Sequence, residues 1–319
     1  MVSKKILVHL FLFCVLVIAC VILFFYFQTN KVIAPSANTL VEQEQGEVKL
    51  LFVGDAMFDR GIRYYATQNG GYSYVFEKIS PLLKSVDLVV ANLEGPITDN
   101  NSVSANTAPG SYNNYFFTFD PLVAKELYNQ NIKVVSLGNN HILNFGQKGL
   151  QSTKEYLDQS KVEYFALPNG AKSAFTEING IKIAFVGYNE FSGDNAEEIA
   201  TIEEIKKVKQ NNDFVVVFCH WGVEYETSTS EPQRELAHKF IDEGADLIIG
   251  SHPHVAQQIE IYKQKRIYYS LGNFIFDQYF SEDVRKGLGV ELIMDKNKHT
   301  LEFNEINFYL EKTGQTVVR

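Results

Sequence analysis

From about Glu47 onward the chain repeats one pattern, a short apolar run that ends in a small or polar residue followed by a polar stretch with helical spacing. The runs are VKLLFVGD, VDLVVANLEG, IKVVSLGNNH, IKIAFVGYNE, DFVVVFCHWG, ADLIIGSHPH and RIYYSLGNF. They lack the apolar-polar alternation of a half-exposed strand, so they predict sheets covered on both faces. Amphipathic stretches lie between most of them. FDPLVAKELYNQN places Asp120 as an N-cap with Pro121 at the first helical position, and EPQRELAHKFIDEG is opened by Pro232 and closed by Gly244. GQKGLQSTKEYLDQSK and NAEEIATIEEIKKVKQN share that spacing. Alternating strands and helices predict an α/β domain. After Gly287 the sequence GVELIMDKNKHTLEFNEINFYL predicts a closing antiparallel hairpin. The Asn- and Ser-rich stretch from Asp99 to about Asn114 predicts a long loop, a feature that in compact domains is often functional or mobile.

The first residues follow a different rule. Lys4 and Lys5 precede ILVHLFLFCVLVIACVILFFYF, Ile6 to Phe27, which contains no Asp, Glu, Lys or Arg. About 20 apolar residues cross a bilayer, so this run predicts a transmembrane signal-anchor. Two lysines before it and only Lys31 soon after predict a cytoplasmic tail at residues 1–5 and a main domain outside a bacterial cell membrane. A cleaved signal peptide would show a shorter apolar region and a small-residue cleavage site. VIAC, Val17 to Cys20, resembles a lipobox, which leaves a lipoprotein beginning at Cys20 as the alternative. Residues 28–46 are polar and without sustained period, a linker to a domain at 47–319.

Composition narrows the possibilities. A chain of 319 residues with 45% hydrophobic content can bury a full core. Its formal charge of -9 argues against nucleic acid as a partner, which normally needs a basic face, and requires any polyanionic ligand to be held locally. Cys14 and Cys20 fall inside the apolar span, so Cys219 has no partner for a disulfide in the domain.

The strand ends carry the candidate chemistry. Asp55, Asn92, Glu94, Asn140, His141, His220, His252 and His254 all stand at or just beyond the carboxyl ends of predicted strands, where open α/β sheets place their ligands. Carboxylates, amides and imidazoles together suit Mn, Fe or Zn, as one divalent ion or a pair. His252-Pro253-His254 alone is a weak signal, since a histidine at a strand end is commonly an ordinary polar residue. The recurrence of such residues at five strand ends is a stronger one.

The segments FVGDAMFDR, ANLEGPIT, SLGNNHILNFG, VVFCHWGVEY, IIGSHPHVAQ and YSLGNFIFD, in that order between about Lys49 and Phe280, resemble the CapA-type poly-γ-glutamate capsule biosynthesis proteins. That family is similar in fold to the calcineurin-like metallophosphoesterases. The resemblance implies a metallophosphoesterase-like sandwich of two β-sheets flanked by helices. It implies Asp55 as the first metal-binding carboxylate, Glu94 as the bridging one, Asn140 as the metal-binding amide and His141 as general acid or oxyanion stabiliser. His220 and His252 would complete one ion, and His254 would join Asp55 at the other. Two departures stand out: Met57 occupies the place of the histidine in Asp-x-His, and the bridging acid is Glu rather than Asp. A thioether is a poor ligand for a hard metal, so a single-ion site stays open. Asn144 stands where such chains usually show Asp.

Around this set, Arg60 is a candidate clamp for carboxylate or phosphate, with a surface arginine as the alternative. Asn92 and Glu224 are candidate substrate contacts, Trp221 would orient His220 or cover the site, and Asn273 and Asp277 are expected to cap a turn. The partners implied are the membrane, an anionic polymer such as poly-γ-glutamate and a membrane synthetase or export complex. Two roles follow, a metal-dependent hydrolase of phosphoesters or amides and a non-catalytic subunit that grips the carboxylates of a passing chain.

Overall fold

The apolar strands are covered on both faces because two sheets stack on each other and each carries helices on its outer side. The computed structural model describes Gly46–Ser192 and Ala196–Arg319. The predicted membrane segment 6–27 and residues 28–45 of the linker lie outside the described residues, among which no helix is long and apolar enough to cross a membrane.

The strands are β1 (Glu47–Ala56), β2 (Leu88–Leu93), β3 (Ile132–Ser136), β4 (Glu163–Phe165), β5 (Ser173–Ile178), β6 (Ile181–Asn189), β7 (Phe214–His220), β8 (Leu247–Ser251), β9 (Ile259–Tyr262), β10 (Lys265–Tyr268), β11 (Asn273–Ile275), β12 (Lys286–Asp295), β13 (Thr300–Leu310) and β14 (Thr316–Val318). One sheet has the order β14-β13-β12-β1-β2-β3-β4, with β11 also on β1; the other has the order β5-β6-β7-β8-β10-β9. Strands β1 to β4 are parallel, and so are β6, β7, β8 and β10. All of these strands therefore deliver their carboxyl ends to one rim.

Side-chain alternation explains the missing polar alternation. Along β1, Val48, Leu50 and Phe52 pack between the sheets while Leu51 and Val53 pack under the helices. In β7, Phe214, Val216 and Phe218 turn inward, and Val215, Val217 and Cys219 face the helices of the other side. Each such side chain contributes roughly 1.5–3 kcal/mol by leaving water, on either face.

The helices begin and end close to the predicted positions. Glu231–Asp242 starts at Ser230 through a reciprocal capping box with Gln233, and the chain leaves it at Gly244 with φ +123°. Leu122–Asn129 starts one residue later than expected, with Pro121 at the cap and Asp120 Oδ1 accepting from Leu122 N at 2.9 Å. The other two predicted helices span Gly146–Ser160 and Ala196–Lys209, and the closing hairpin is the β12–β13 pair. The helix Arg60–Gln68 is not evident from the pattern; its local signal is Asp59, whose Oδ1 accepts from Arg60 N at 2.9 Å. The long loop after Asp99 is tied to the same aspartate, since Ser104 Oγ donates to Asp59 Oδ2 at 2.8 Å.

One glycine sets how closely β1 approaches the β11 segment. A Cβ on Gly54 would lie 1.9 Å from the Gly272 carbonyl oxygen, the same oxygen that accepts from Asp55 N at 3.0 Å. Gly54→Ala is expected to destabilise the fold by about 3 kcal/mol or more, because backbone rather than a flexible side chain must move. Thermal melts followed by circular dichroism check this, with an unchanged melting temperature as the contrary result.

Candidate metal centre

The centre forms where the rims of both sheets meet. Asp55 is the penultimate residue of β1, Glu94 follows β2, His141 lies in the turn after β3, His220 ends β7, and His252 and His254 follow β8. His252 and His254 both have positive φ, +97° and +58°. That backbone region is uncommon for residues with a Cβ and persists when surrounding contacts enforce it. Two such contacts are His252 N donating to Asp55 Oδ2 at 3.1 Å and Tyr225 N donating to the Pro253 carbonyl at 2.8 Å.

Asp55, Glu94 and His254, all buried, offer one ligand atom each within 4.8 Å of one another. His254 Nδ1 is 3.3 Å from Asp55 Oδ2, and His254 Nε2 is 3.6 Å from Glu94 Oε1. Asn273 fixes the tautomer of His254. Its Nδ2 has three acceptor oxygens within reach for its two protons, of His254, Gln278 and Val284, so its Oδ1, 2.9 Å from His254 Nδ1, must accept. In its neutral form His254 therefore carries its proton on Nδ1 and turns the Nε2 lone pair toward Glu94. Both Glu94 oxygens are buried without a hydrogen-bond partner. A buried carboxylate left so bare is costly, and a cation is the partner that suits it.

The second group lies alongside. His220 Nε2 is 3.0 Å from Asn140 Oδ1, a separation that suits one hydrogen bond or two ligands on one ion. His220 Nδ1 is 3.0 Å from Ser251 Oγ. The His252 ring centroid is 4.8 Å from that of His220, its Nδ1 is buried without a partner, and Phe191 covers it at 4.2 Å. His141 Nε2 is 3.9 Å from Glu94 Oε1. Its Nδ1 is 3.2 Å from Asn144 Oδ1, which also accepts from Phe117 N and is thereby identified as the oxygen. His141 in its neutral form therefore turns an accepting Nε2 toward the centre, 3.4 Å from Asn140 Nδ2.

Electrostatics follow from burial. Desolvation opposes the Asp55 charge, but His254, with His220 and Asn92, outweighs it and holds the carboxyl down at about 2. Glu94 moves the other way: burial first, then the Asp55 and Glu224 carboxylates, push it well above the usual carboxylate range. Burial lowers His141 to about 4. Burial and His254 lower His252 to about 4, while burial and His252 push His220 well below its ordinary value. These three imidazoles are neutral at pH 7, the form that ligates metals.

Several expected roles shift with the geometry. Asn92, expected as a substrate contact, is fully buried; its Nδ2 donates to Asp55 Oδ1 at 2.8 Å and its Oδ1 accepts from Asn139 Nδ2 at 3.1 Å, so it positions the carboxylate from below. Arg60, expected as a clamp for a ligand, already grips Asp277 and donates to Asn114 O and Oδ1, with Phe117 and Phe276 under its guanidinium. Asp277 also accepts from Gly61 N at 2.9 Å. Trp221 packs in the outer core, stacked on Tyr269 and donating to its carbonyl. Met57 lies in the helix-side core, with Sδ accepting from Asp59 N. Glu224 is half-buried and close enough to act on Glu94. Asn139, Ser251 and Phe191 join the site without any role assigned to them by the sequence. The doubled Asn of GNNH is the one visible hint, and Asn139 uses it to donate to Asn92 Oδ1 and Leu93 O while accepting from His141 N.

A sandwich of two sheets between helices, with carboxylates and imidazoles gathered at its carboxyl rim, defines a two-sheet α/β protein with a candidate metal centre. Residues 49–278 match the family described as bacterial capsule synthesis protein PGA_cap, and the chain belongs to that family. It is 32% identical over 293 residues to the PGA biosynthesis protein CapA of Bacillus subtilis (strain 168), covering 86% of this chain and 74% of that one. To the capsule biosynthesis protein CapA of Bacillus anthracis it is 31% identical over 273 residues, covering 79% of this chain and 64% of the relative. It thus spans less than two thirds of the second relative. A crystal structure of a hypothetical protein from Thermus thermophilus is similar at a TM-score of 0.53 and 15% identity, over 82% of this chain and 99% of that one, a likeness of fold.

The bare Glu94 carboxylate generates a stability test. Its pKa is raised on folding, so it favours the folded state below the ordinary carboxylate range, and that contribution is lost as pH rises through the folded value. Glu94→Gln lacks this dependence. With chelator present, the variant is expected to be more stable than the wild type at pH 8, by about 1–3 kcal/mol, and the gap should narrow toward pH 5. Urea unfolding at both pH values measures it; a gap independent of pH would contradict the assignment.

Proposed function

We propose that this protein acts at the outer face of a bacterial membrane in the synthesis, export or attachment of a poly-γ-glutamate-like polymer, and that it does so with a divalent metal. Family membership and the two CapA relatives, a PGA biosynthesis protein and a capsule biosynthesis protein, support the polymer. The observation that carries the metal is Glu94, buried with both oxygens unpartnered beside Asp55 and the bare Nε2 of His254.

Asp55, Glu94 and His254 would hold one ion of Mn, Fe or Zn, and Asn140, His220 and His252 would hold a second where two are bound. A divalent ion supplies Lewis acidity toward a carboxylate, phosphoryl or amide oxygen and lowers the pKa of water. The chain's own groups do the rest. Asn92, Asn139 and Asn273 fix the directions of the ligand atoms, and Phe191 shields the His252 ring from water. His141 favours a hydrolytic reading of the same centre, because its neutral Nε2 can accept a proton beside Glu94. The membrane tether is Ile6–Phe27, and the partner it would meet there is a synthetase or export complex.

Three experiments test this reading. In a strain lacking the chain, the wild type should restore surface poly-γ-glutamate, while Asp55→Asn and His254→Ala restore roughly a tenth or less. Elemental analysis of the purified variants should show the matching loss of metal with circular dichroism unchanged; full restoration by variants that bind no metal would overturn the role of the centre. Mass spectrometry of the mature N-terminus is expected to find residues 6–27 retained, and a chain starting at a diacylated Cys20 would replace the anchor with a lipoprotein.

A further inference from the structure

Beside the centre lies an open cleft of about 490 Å³. Tyr225 belongs to both, since it lines the cleft and its ring centroid is 6.1 Å from that of His254. Its hydroxyl accepts from Gln278 Nε2 at 3.2 Å, and Gln278 in turn accepts from Asn273, the partner of His254. Four aromatic side chains line this cleft while keeping much of their surface in water: Tyr64 is 57% exposed, Tyr115 44%, Tyr225 39% and Phe280 67%. Single exposed rings are ordinary, but four lining one cleft mark a binding surface.

Charge decides what kind of ligand fits. Arg60 and Asp277 are the charged residues of the lining, and they are paired with each other. A carboxylate entering the cleft would lose water to aromatic rings and meet Asp277 without a free cation, an unfavourable exchange. The rest of the rim offers neutral groups such as Asn106, Thr107 and Gln278. Exposed rings with amides and hydroxyls between them match a ligand whose units present C–H faces and hydroxyl edges. We propose that this cleft binds a neutral pyranose-based glycan chain, with its sugar faces on Tyr64, Tyr115, Tyr225 and Phe280. The cleft would hold that chain next to the centre. The inference goes beyond the polymer and metal reading, because nothing in the cleft requires either.

Chitotetraose, a neutral tetrasaccharide, is the probe, titrated calorimetrically into the full chain with chelator present. The expected result is saturable binding that Tyr64→Ala and Phe280→Ala each weaken roughly threefold to tenfold, while Tyr64→Phe retains most of it. Both alanine variants replace exposed rings, so unchanged circular dichroism is expected to accompany the loss. Absence of saturable heat up to about 10 mM tetrasaccharide, an affinity worth less than about 3 kcal/mol, would overturn the proposal. So would equal binding by the alanine variants, or a poly-γ-glutamate oligomer that binds with chelator present and loses affinity in those same variants. Failure of the capsule or metal experiments leaves this readout unaffected, since neither polymer synthesis nor metal enters it.

Discussion

The Asp55 carboxylate joins the two halves of the rim. It belongs to the first sheet, yet one oxygen accepts from the His252 backbone and lies beside His254, both from the loop after a strand of the second. The other oxygen accepts from Asn92. A fully buried carboxylate with two donors and a neighbouring imidazole stays ionised, and its pKa falls to about 2 despite desolvation. The positive φ angles of His252 and His254 are held in place largely by that loop's contacts with Asp55 and Tyr225. Without such a tie, two sheets packed only by non-directional apolar contact would leave the relative placement of their rims much less defined.

Glu94 is the counterpart of that satisfaction. Two carboxylates share a buried pocket, but the directional donors near them serve Asp55 and leave Glu94 bare. A protein optimised for stability alone would have no use for a charge-prone group there. The contrast between one ionised and one protonation-prone carboxylate is what a cation-binding pair shows when the protein supplies the orientation and the ion supplies the missing partner.

The sequence makes the layers and the rim legible for a simple reason. Strands such as FVVVFC are apolar on both faces, which only a doubly covered sheet explains, and each ends in a polar residue whose place at the rim follows from parallel topology. The metal-ligating candidates can be read because they stand at those ends. What supports them cannot. Asn139 is one of two adjacent asparagines, and nothing local says which one turns into the core to hold Asn92 and which stays at the surface beside His220. Arg60 reads as an available clamp because its partner, Asp277, is 217 positions away in sequence. Phe191 looks like any loop aromatic until the fold sets it on His252. Long-range pairing of this kind is decided by tertiary packing, to which local pattern is blind.

Charge gives these features a common logic. The chain carries a formal -9, and the cation of the cleft lining, Arg60, is committed to Asp277. With Asp55 ionised, Glu94 prone to protonation and His141, His220 and His252 neutral, the centre by itself offers an anionic ligand no attraction. A divalent cation reverses that sign locally, because an ion is commonly the largest single charge in such a pocket and acts there at low dielectric. An acidic protein can in this way present a positive field over a few ångströms although its net charge is negative. The neutral aromatic cleft beside it needs no such device, so the two surfaces can hold chemically different ligands side by side without competing for the same one.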